Sequence, residues 1–239
     1  MSLRAKAARP INDLLRPLRV QLVPAIQDFI PARKTIAAAR NAGLPVADYI
    51  DSVFAKPGAT AETVRIMLEF ADLQSADTTV CEIGPGSGRY SEAVIKTLQP
   101  VAYEIYETAS DWLAHLAKLP NVVIRQCDGH TLSQTADASV DLVHAHKVFV
   151  YLEFSATVGY LEEMARVVRP GGVVAFDILT ENCLVDETVH RWAKYGTIYR
   201  PIPHRWAVEF LQRRGLTLLG SHLVPLTEGM TELMVFRRE

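Results

Sequence analysis

The chain has 239 residues, 49% of them apolar, and a formal net charge of −2. That is material for one domain with an extension or for two small ones, and the balanced charge speaks against a protein that binds polyanions through net charge alone. Cys81, Cys127 and Cys183 are odd in number, widely spaced and without a C-x-x-C pair. The reading is therefore neither a disulfide framework nor structural zinc but a reducing cytoplasm. No uncharged apolar run nears the ~20 residues of a membrane span. Pro10, Asp13, Arg16, Pro17 and Arg19 interrupt the apolar core that a secretory leader needs.

Residues 1–75 read as a helical N-terminal extension. Pro10, Pro17, Pro24 and Pro31 recur every seven residues and exclude one long helix, since each removes a donor and clashes with the preceding turn. Helices are expected at Ala32–Arg40, ending at Gly43, at Val46–Phe54 and at Ala61–Leu73, the last with Thr60 as N-cap and Glu62 in its first turn. Residues 1–40 hold eight Lys or Arg against two Asp. This marks either a solvated face or an anionic partner. Tyr49, within Ala47-Asp48-Tyr49-Ile50-Asp51, is either a lid residue or a half-buried tyrosine showing its hydroxyl to water.

Residues 80–90, Val-Cys-Glu-Ile-Gly-Pro-Gly-Ser-Gly-Arg-Tyr, read as a strand, a glycine-rich turn and the start of a helix. Gly84, Gly86 and Gly88 let the chain bend and let a ligand approach main-chain N–H groups. The dinucleotide fingerprint G-x-G-x-x-G fails at its third glycine, where Arg89 stands. Glu82 before the turn has no use beside a pyrophosphate; a ligand with an ammonium and a sulfonium gives it one. Val101–Tyr106 is the next strand and ends in Glu107-Thr108. Glu107 lies about twenty residues past the glycines, where a carboxylate accepts from ribose hydroxyls; alternatively it caps a helix over 109–118. Glu104, inside the strand, is a weaker rival. Val122–Gln126 is a third strand, followed by Cys127-Asp128-Gly129, and Ser139–Ala145 is a fourth. Arg166–Gly172 reads as a helix end and turn before a fifth strand, Val173–Leu179. A helix at 205–214 precedes Leu216–Val224 and Thr231–Phe236, too close together for a parallel crossover and so antiparallel if paired.

The E-x-G-x-G-x-G order at Glu82–Gly88, with the strands that follow, resembles the class I S-adenosylmethionine (SAM) methyltransferases over residues 75–238. The resemblance implies a Rossmann-like α/β fold with a doubly wound, mostly parallel seven-stranded sheet and one antiparallel strand. It implies SAM as cofactor, held by Glu82, Gly84, Pro85, Gly86, Gly88, Glu107 and Thr108, with Asp128 and Gly129 at the adenine and Tyr49 in a lid. Residues 76–239 would be the SAM-binding domain and 182–206 an acceptor-site insertion. That insertion is rich in Trp192, Tyr195, Tyr199, Pro201, Pro203, His204 and Trp206, and it forms either an acceptor pocket or a packed loop.

Methyl transfer to a hydroxyl needs alignment and a proton acceptor. The fourth strand ends Asp141-Leu-Val-His144-Ala-His146-Lys147. His146 is the first candidate for general base and His144, on the same strand face, for an orienting group; many family members need no base. Family members that methylate amino groups on bases carry Asn-Pro-Pro-Tyr there, which this chain lacks. Tyr151, Asp177, Glu181, Asn182 and His204 rank second, and Asp141, Asp177 and Asn182 only loosely match a magnesium set; no metal is assigned. The reading is O-methylation of a small molecule or glycan, with N-methylation of an amine or protein side chain, or a non-catalytic SAM-binding partner protein, as alternatives. No nucleic-acid partner is expected, because no basic patch with interleaved aromatics occurs in the core domain. A homodimer through the N-terminal helices stays open.

Overall fold

The fold is that of a computed structural model, which describes residues 30–73, 77–227 and 229–239. The prolines at 10, 17 and 24 and the basic residues among the first 29 lie outside the described residues. Ile30–Leu184 and Tyr199–Glu239 form one compact unit, and Val185–Ile198 falls in another. In the latter, Asp186–Tyr195 is helical, with Asp186 and Glu187 in its first turn and Lys194 in its last, the charge order that a helix dipole favours. No helix among the described residues is long and apolar enough to cross a membrane.

Three helices open the main unit. α1 (Ala32–Ala42) stops at Gly43, whose φ of 68° turns the chain so that Gly43 and Leu44 donate to the carbonyls of Arg40 and Ala39. α2 (Val46–Phe54) follows Pro45. α3 (Ala59–Ala71) begins one residue earlier than its supposed cap, so Thr60 is not the N-cap. Asp51 of α2 does that work instead: its carboxylate accepts from the Thr60 N–H (2.9 Å) and hydroxyl (2.7 Å). A local cap rule sees only the neighbouring residues, and here the acceptor comes from nine residues back.

The strands are β1 (Thr79–Ile83), β2 (Ala102–Tyr106), β3 (Val122–Arg125), β4 (Val140–Ala145), β5 (Val168–Ile178), β6 (Leu216–Leu226) and β7 (Gly229–Arg238). They form one sheet in the order β3-β2-β1-β4-β5-β7-β6. β7 runs antiparallel to both its neighbours, and every other pairing is parallel. This is the doubly wound seven-stranded sheet with one antiparallel strand that the sequence implied. The strand order reverses between β1 and β4, and the crevice at that switch point, at the carboxyl ends of the strands, is where such sheets bind ligands.

Two local expectations differ from the structure. The strand before the antiparallel pair starts at Val168, not Val173. Val140 pairs with Val168 and Leu142 with Val173, so Arg169–Gly172 bulge out between two in-register stretches. Over 109–118 only α5 (Leu113–Leu116) is helical. Tertiary contacts override the helical pattern here: Asp111 accepts from the Ala32 N–H at the start of α1, and the Trp112 indole donates to the Ile30 carbonyl.

Alternation splits the core. Val80, Tyr103, Ile105, Leu142, Ala175 and Leu233 point to the face covered by α2, α3 and α4 (Arg89–Leu98). Cys81, Ile83, Val143, Ala145, Phe176 and Met234 point to the face covered by α6 (Phe154–Val167) and α8 (His204–Gln212). For numbering, α7 is the helix Asp186–Tyr195.

Candidate active site

The turn from β1 into α4 is built by its glycines. Gly84, Gly86 and Gly88 have φ of 62°, 55° and 78°, in the left-handed region. The Gly84 N–H donates to the Tyr106 carbonyl (2.8 Å), which pins the loop to the end of β2. A Cβ on Gly84 would stand 2.7 Å from the Val148 side chain, whereas one on Gly86 would meet nothing within 4 Å. Pro85 between them is buried. The main chain at Gly86 is therefore an open cradle that a side chain would fill. Glu107 closes over it: one carboxylate oxygen accepts from the Gly86 N–H and the other from the Ala109 N–H, both at 2.6 Å. Thr108 beside it is exposed, 3.8 Å from where a Gly129 Cβ would lie. Asp128 is exposed and accepts from the His130 and Thr131 N–H groups and the Thr131 hydroxyl. Those bonds, the Thr131 hydroxyl first, lower its carboxyl to about 2.

A belt of buried polar side chains crosses the helix-covered face of the sheet beneath this loop. Register sets it: Glu82 pairs with Ile105 and with His144, and His144 pairs with Ala175. Two residues along the same face lie Tyr103, His146 and Asp177. The Tyr103 hydroxyl is 2.7 Å from Glu82 Oε2 and 2.8 Å from His144 Nε2, and Ser91 of α4 also donates to Glu82 (2.5 Å). Burial pushes the Glu82 carboxyl up to about 7, and burial pushes the His144 imidazole well below its ordinary value.

His146 is roofed by Tyr90, the ring centroids 4.4 Å apart and nearly parallel. Its side chain is fully buried, and Nδ1 lies 3.6 Å from Asp177 Oδ1. Among the described residues neither of its ring nitrogens has a hydrogen-bond partner, nor does His144 Nδ1. Burial lowers the His146 pKa, so the ring is neutral near pH 7. Asp177 is held by Lys147, whose main-chain N–H and Nζ bind the two carboxylate oxygens at 2.7 Å each. Lys147 Nζ also donates to Thr231 (2.5 Å). This grip carries Lys147 at a φ of 58°, a conformation that costs a non-glycine residue about 1–2 kcal/mol. Burial pushes the Asp177 carboxyl up, but the Lys147 ammonium and His146 outweigh it and the net shift is down.

Residues 81–176 match a family model described as a methyltransferase domain. They are a class I SAM-dependent methyltransferase domain. The enzyme shares its fold with solved structures of low identity. One is a complex between the Haloferax volcanii Trm112 methyltransferase activator and a methyltransferase (TM-score 0.59, 18% identity, 85% of this chain and 97% of that one). A second is a 1,6-didemethyltoxoflavin-N1-methyltransferase from Burkholderia thailandensis with bound S-adenosylhomocysteine (0.58, 15%, 86% of each chain). A third is an O-methyltransferase family protein from the same organism (0.59, 15%, 88% of this chain and 63% of that one). At such identities these show the fold alone, and their names span nitrogen and oxygen acceptors. No curated protein matches the chain in sequence.

The methyltransferase uses SAM, and the open main chain at Gly86 between the β1 and β2 edges fits an adenosyl ligand. For Glu107 to accept from ribose, it would exchange the Gly86 N–H for hydroxyls. The structure also brings in residues that the sequence did not flag. Asp51 of α2, besides capping α3, pairs with Arg89 at 2.7 Å, both side chains largely buried. Arg89 in turn lies over the Tyr90 ring, 4.8 Å from its centroid. The helical segment thus touches the start of α4 just after the glycine turn through Asp51, two residues past Tyr49, which is half-buried against the core. Of the second-rank residues, only Asp177 joins the methyltransferase belt. Asp141 binds the Thr79 N–H and Arg169. Asn182 and His204 gather with Thr180 and Ser221 around the buried Glu232, and Glu181 accepts from the His204 N–H. Asp141, Asp177 and Asn182 therefore each serve different partners. Tyr151 is partly exposed, its ring 5.6 Å from that of Tyr199.

Proposed function

We propose that the enzyme moves the methyl group of SAM to a hydroxyl of a small molecule or glycan, with His146 accepting the hydroxyl proton. The observation that carries this is the neutral, unpartnered imidazole at the carboxyl end of β4, beside a buried carboxylate. When bound, SAM supplies an electrophilic methyl on a cationic sulfur. The main chain at Gly84, Pro85, Gly86 and Gly88 lies against the cofactor, Glu107 and Thr108 face the ribose, and Asp128 and Gly129 face the adenine. Glu82 would answer the positive charge of the cofactor's ammonium and sulfonium groups. Tyr49 belongs to the helical segment that would cover the cofactor.

In this reading Asp177 directs the Nδ1–H of His146 toward itself, which leaves Nε2 bare to take a proton. The 3.6 Å separation shortens once the acceptor is in place, as catalytic hydrogen bonds do. Tyr90 must turn aside for the acceptor to reach Nε2, so its ring gates the base. Neutral His144 keeps a second positive charge away from His146. Because the His146 pKa is lowered, turnover rises with pH on the acid side and is level by pH 7. Replacing His146 with Ala is expected to lower kcat by about 10²–10⁴-fold while SAM affinity stays within about two-fold. Unchanged turnover with the true acceptor would remove His146 from the role.

A further inference from the structure

The roof over His146 is itself held from outside the sheet. Tyr90 is the second residue of α4 and lies on the fully buried imidazole, 4.4 Å between ring centroids. Its neighbour Arg89 places a guanidinium over the same ring, 4.8 Å from the centroid, with Nη2 3.5 Å from the hydroxyl. Thr60 of α3 also meets that hydroxyl. Among the described residues Arg89 has one anion, Asp51 of α2, at 2.7 Å, and the two side chains are 13% and 6% exposed. Asp51 has two further donors, the Thr60 N–H and hydroxyl. Asp51, Thr60, Arg89 and Tyr90 therefore close a ring of polar contacts that joins α2, α3 and α4, and the aromatic member of that ring covers the base.

The two charges of this ring are held unequally. If the pair opens, Asp51 keeps both donors at the first turn of α3, where a carboxylate is favoured. Arg89 keeps no anion, and a nearly buried cation is costly without one. The guanidinium is therefore pinned to the place where Asp51 stands, and its contact with the ring face holds Tyr90 down. We propose that Asp51 and Arg89 are positioning residues for methyl transfer: their ion pair keeps Tyr90 over His146, and the base is uncovered only when α2 and α3 move off the start of α4. This rests on His146 being the base. The cover keeps a bare imidazole from water until the acceptor enters, and it makes exposure of the base depend on the helices that precede the sheet.

The test is carbethoxylation of the full chain by diethyl pyrocarbonate at pH 7, followed for each histidine peptide by mass spectrometry. The reagent needs an accessible neutral imidazole, and His146 is neutral there. In the native protein His146 should react about 100-fold more slowly than the exposed His130. Tyr90→Ala sets the rate of the uncovered ring. Asp51→Asn keeps an oxygen for the Thr60 N–H but removes the charge, and Arg89→Met removes the cation. Each should raise the His146 rate about ten-fold or more toward the Tyr90→Ala value, while His144 stays protected. The double variant should react no faster than the quicker single one, because both substitutions delete one interaction. Circular dichroism reports folding, and Arg89→Met decides if Asp51→Asn does not fold. A His146 rate within about two-fold of the native one in the folded variants would overturn the proposal. So would a rise of His144 in step with His146, or single effects that multiply in the double variant, since either means general loosening. Failure of the base reading looks different: His146→Ala would keep its turnover with the true acceptor, and the protection changes would remain.

Discussion

Asp177 and Glu82 are carboxylates on one face of one sheet, at 0% and 1% exposure, and they are driven in opposite directions. Burial pushes both up. At Asp177 the Lys147 ammonium and His146 reverse the shift. At Glu82 the two hydroxyls of Ser91 and Tyr103 only soften it, and the carboxyl stays near 7. Burial sets the cost of the charge, and a cation within reach decides whether the charge is kept. The carboxyl end of β5 thus carries a fixed anion that can orient a base, and that of β1 carries an acid without a cation among the described residues.

Removing the cation from the first cluster should have the largest effect. Lys147→Met leaves Asp177 buried and unpaired, at an expected cost of about 3–5 kcal/mol of stability, read from urea unfolding at pH 7. A loss under about 1 kcal/mol would mean that the pair does not hold the carboxylate. The Asp177 contribution is present above its unfolded value of 3.8 and is lost as pH falls toward its lower folded value.

The second cluster predicts a smaller effect with the opposite pH sense. The folded pKa of Glu82 lies above 4.5, so between about 4.5 and about 7 the native state holds a proton that the unfolded chain has released. Stability of the ligand-free protein should therefore fall as pH rises through that window, by up to about 3 kcal/mol. Glu82→Gln should flatten this slope. A slope that survives the substitution would belong to another group.

These contrasts also mark what was legible in the sequence. The β1 strand, its glycine turn and Glu82 are contiguous, so the motif and the fold it implied could be read from neighbouring residues. The alternation His144-Ala145-His146 placed two imidazoles on one face, as found. What was not legible depends on partners distant in the chain. Asp51 reaches Arg89 across 38 positions and Lys147 reaches Thr231 across 84. Thr60 has the residue type of a cap, but its hydroxyl is taken by Asp51. The Arg169–Gly172 bulge inside β5 exists only through its register against β4. Full burial of His146 depends on the Tyr90 ring of α4, a partner far from it in the chain.

The central claim is that the motif carboxylate near the carboxyl end of β1 is buried with hydroxyl partners and without a cation among the described residues. Carbon-13 NMR of glutamate carboxyls, with the Glu82 resonance assigned by its loss in Glu82→Gln, tests it most directly. A titration midpoint near 7, well above that of an exposed glutamate, is predicted in the ligand-free protein. A midpoint near 4.5 would contradict it.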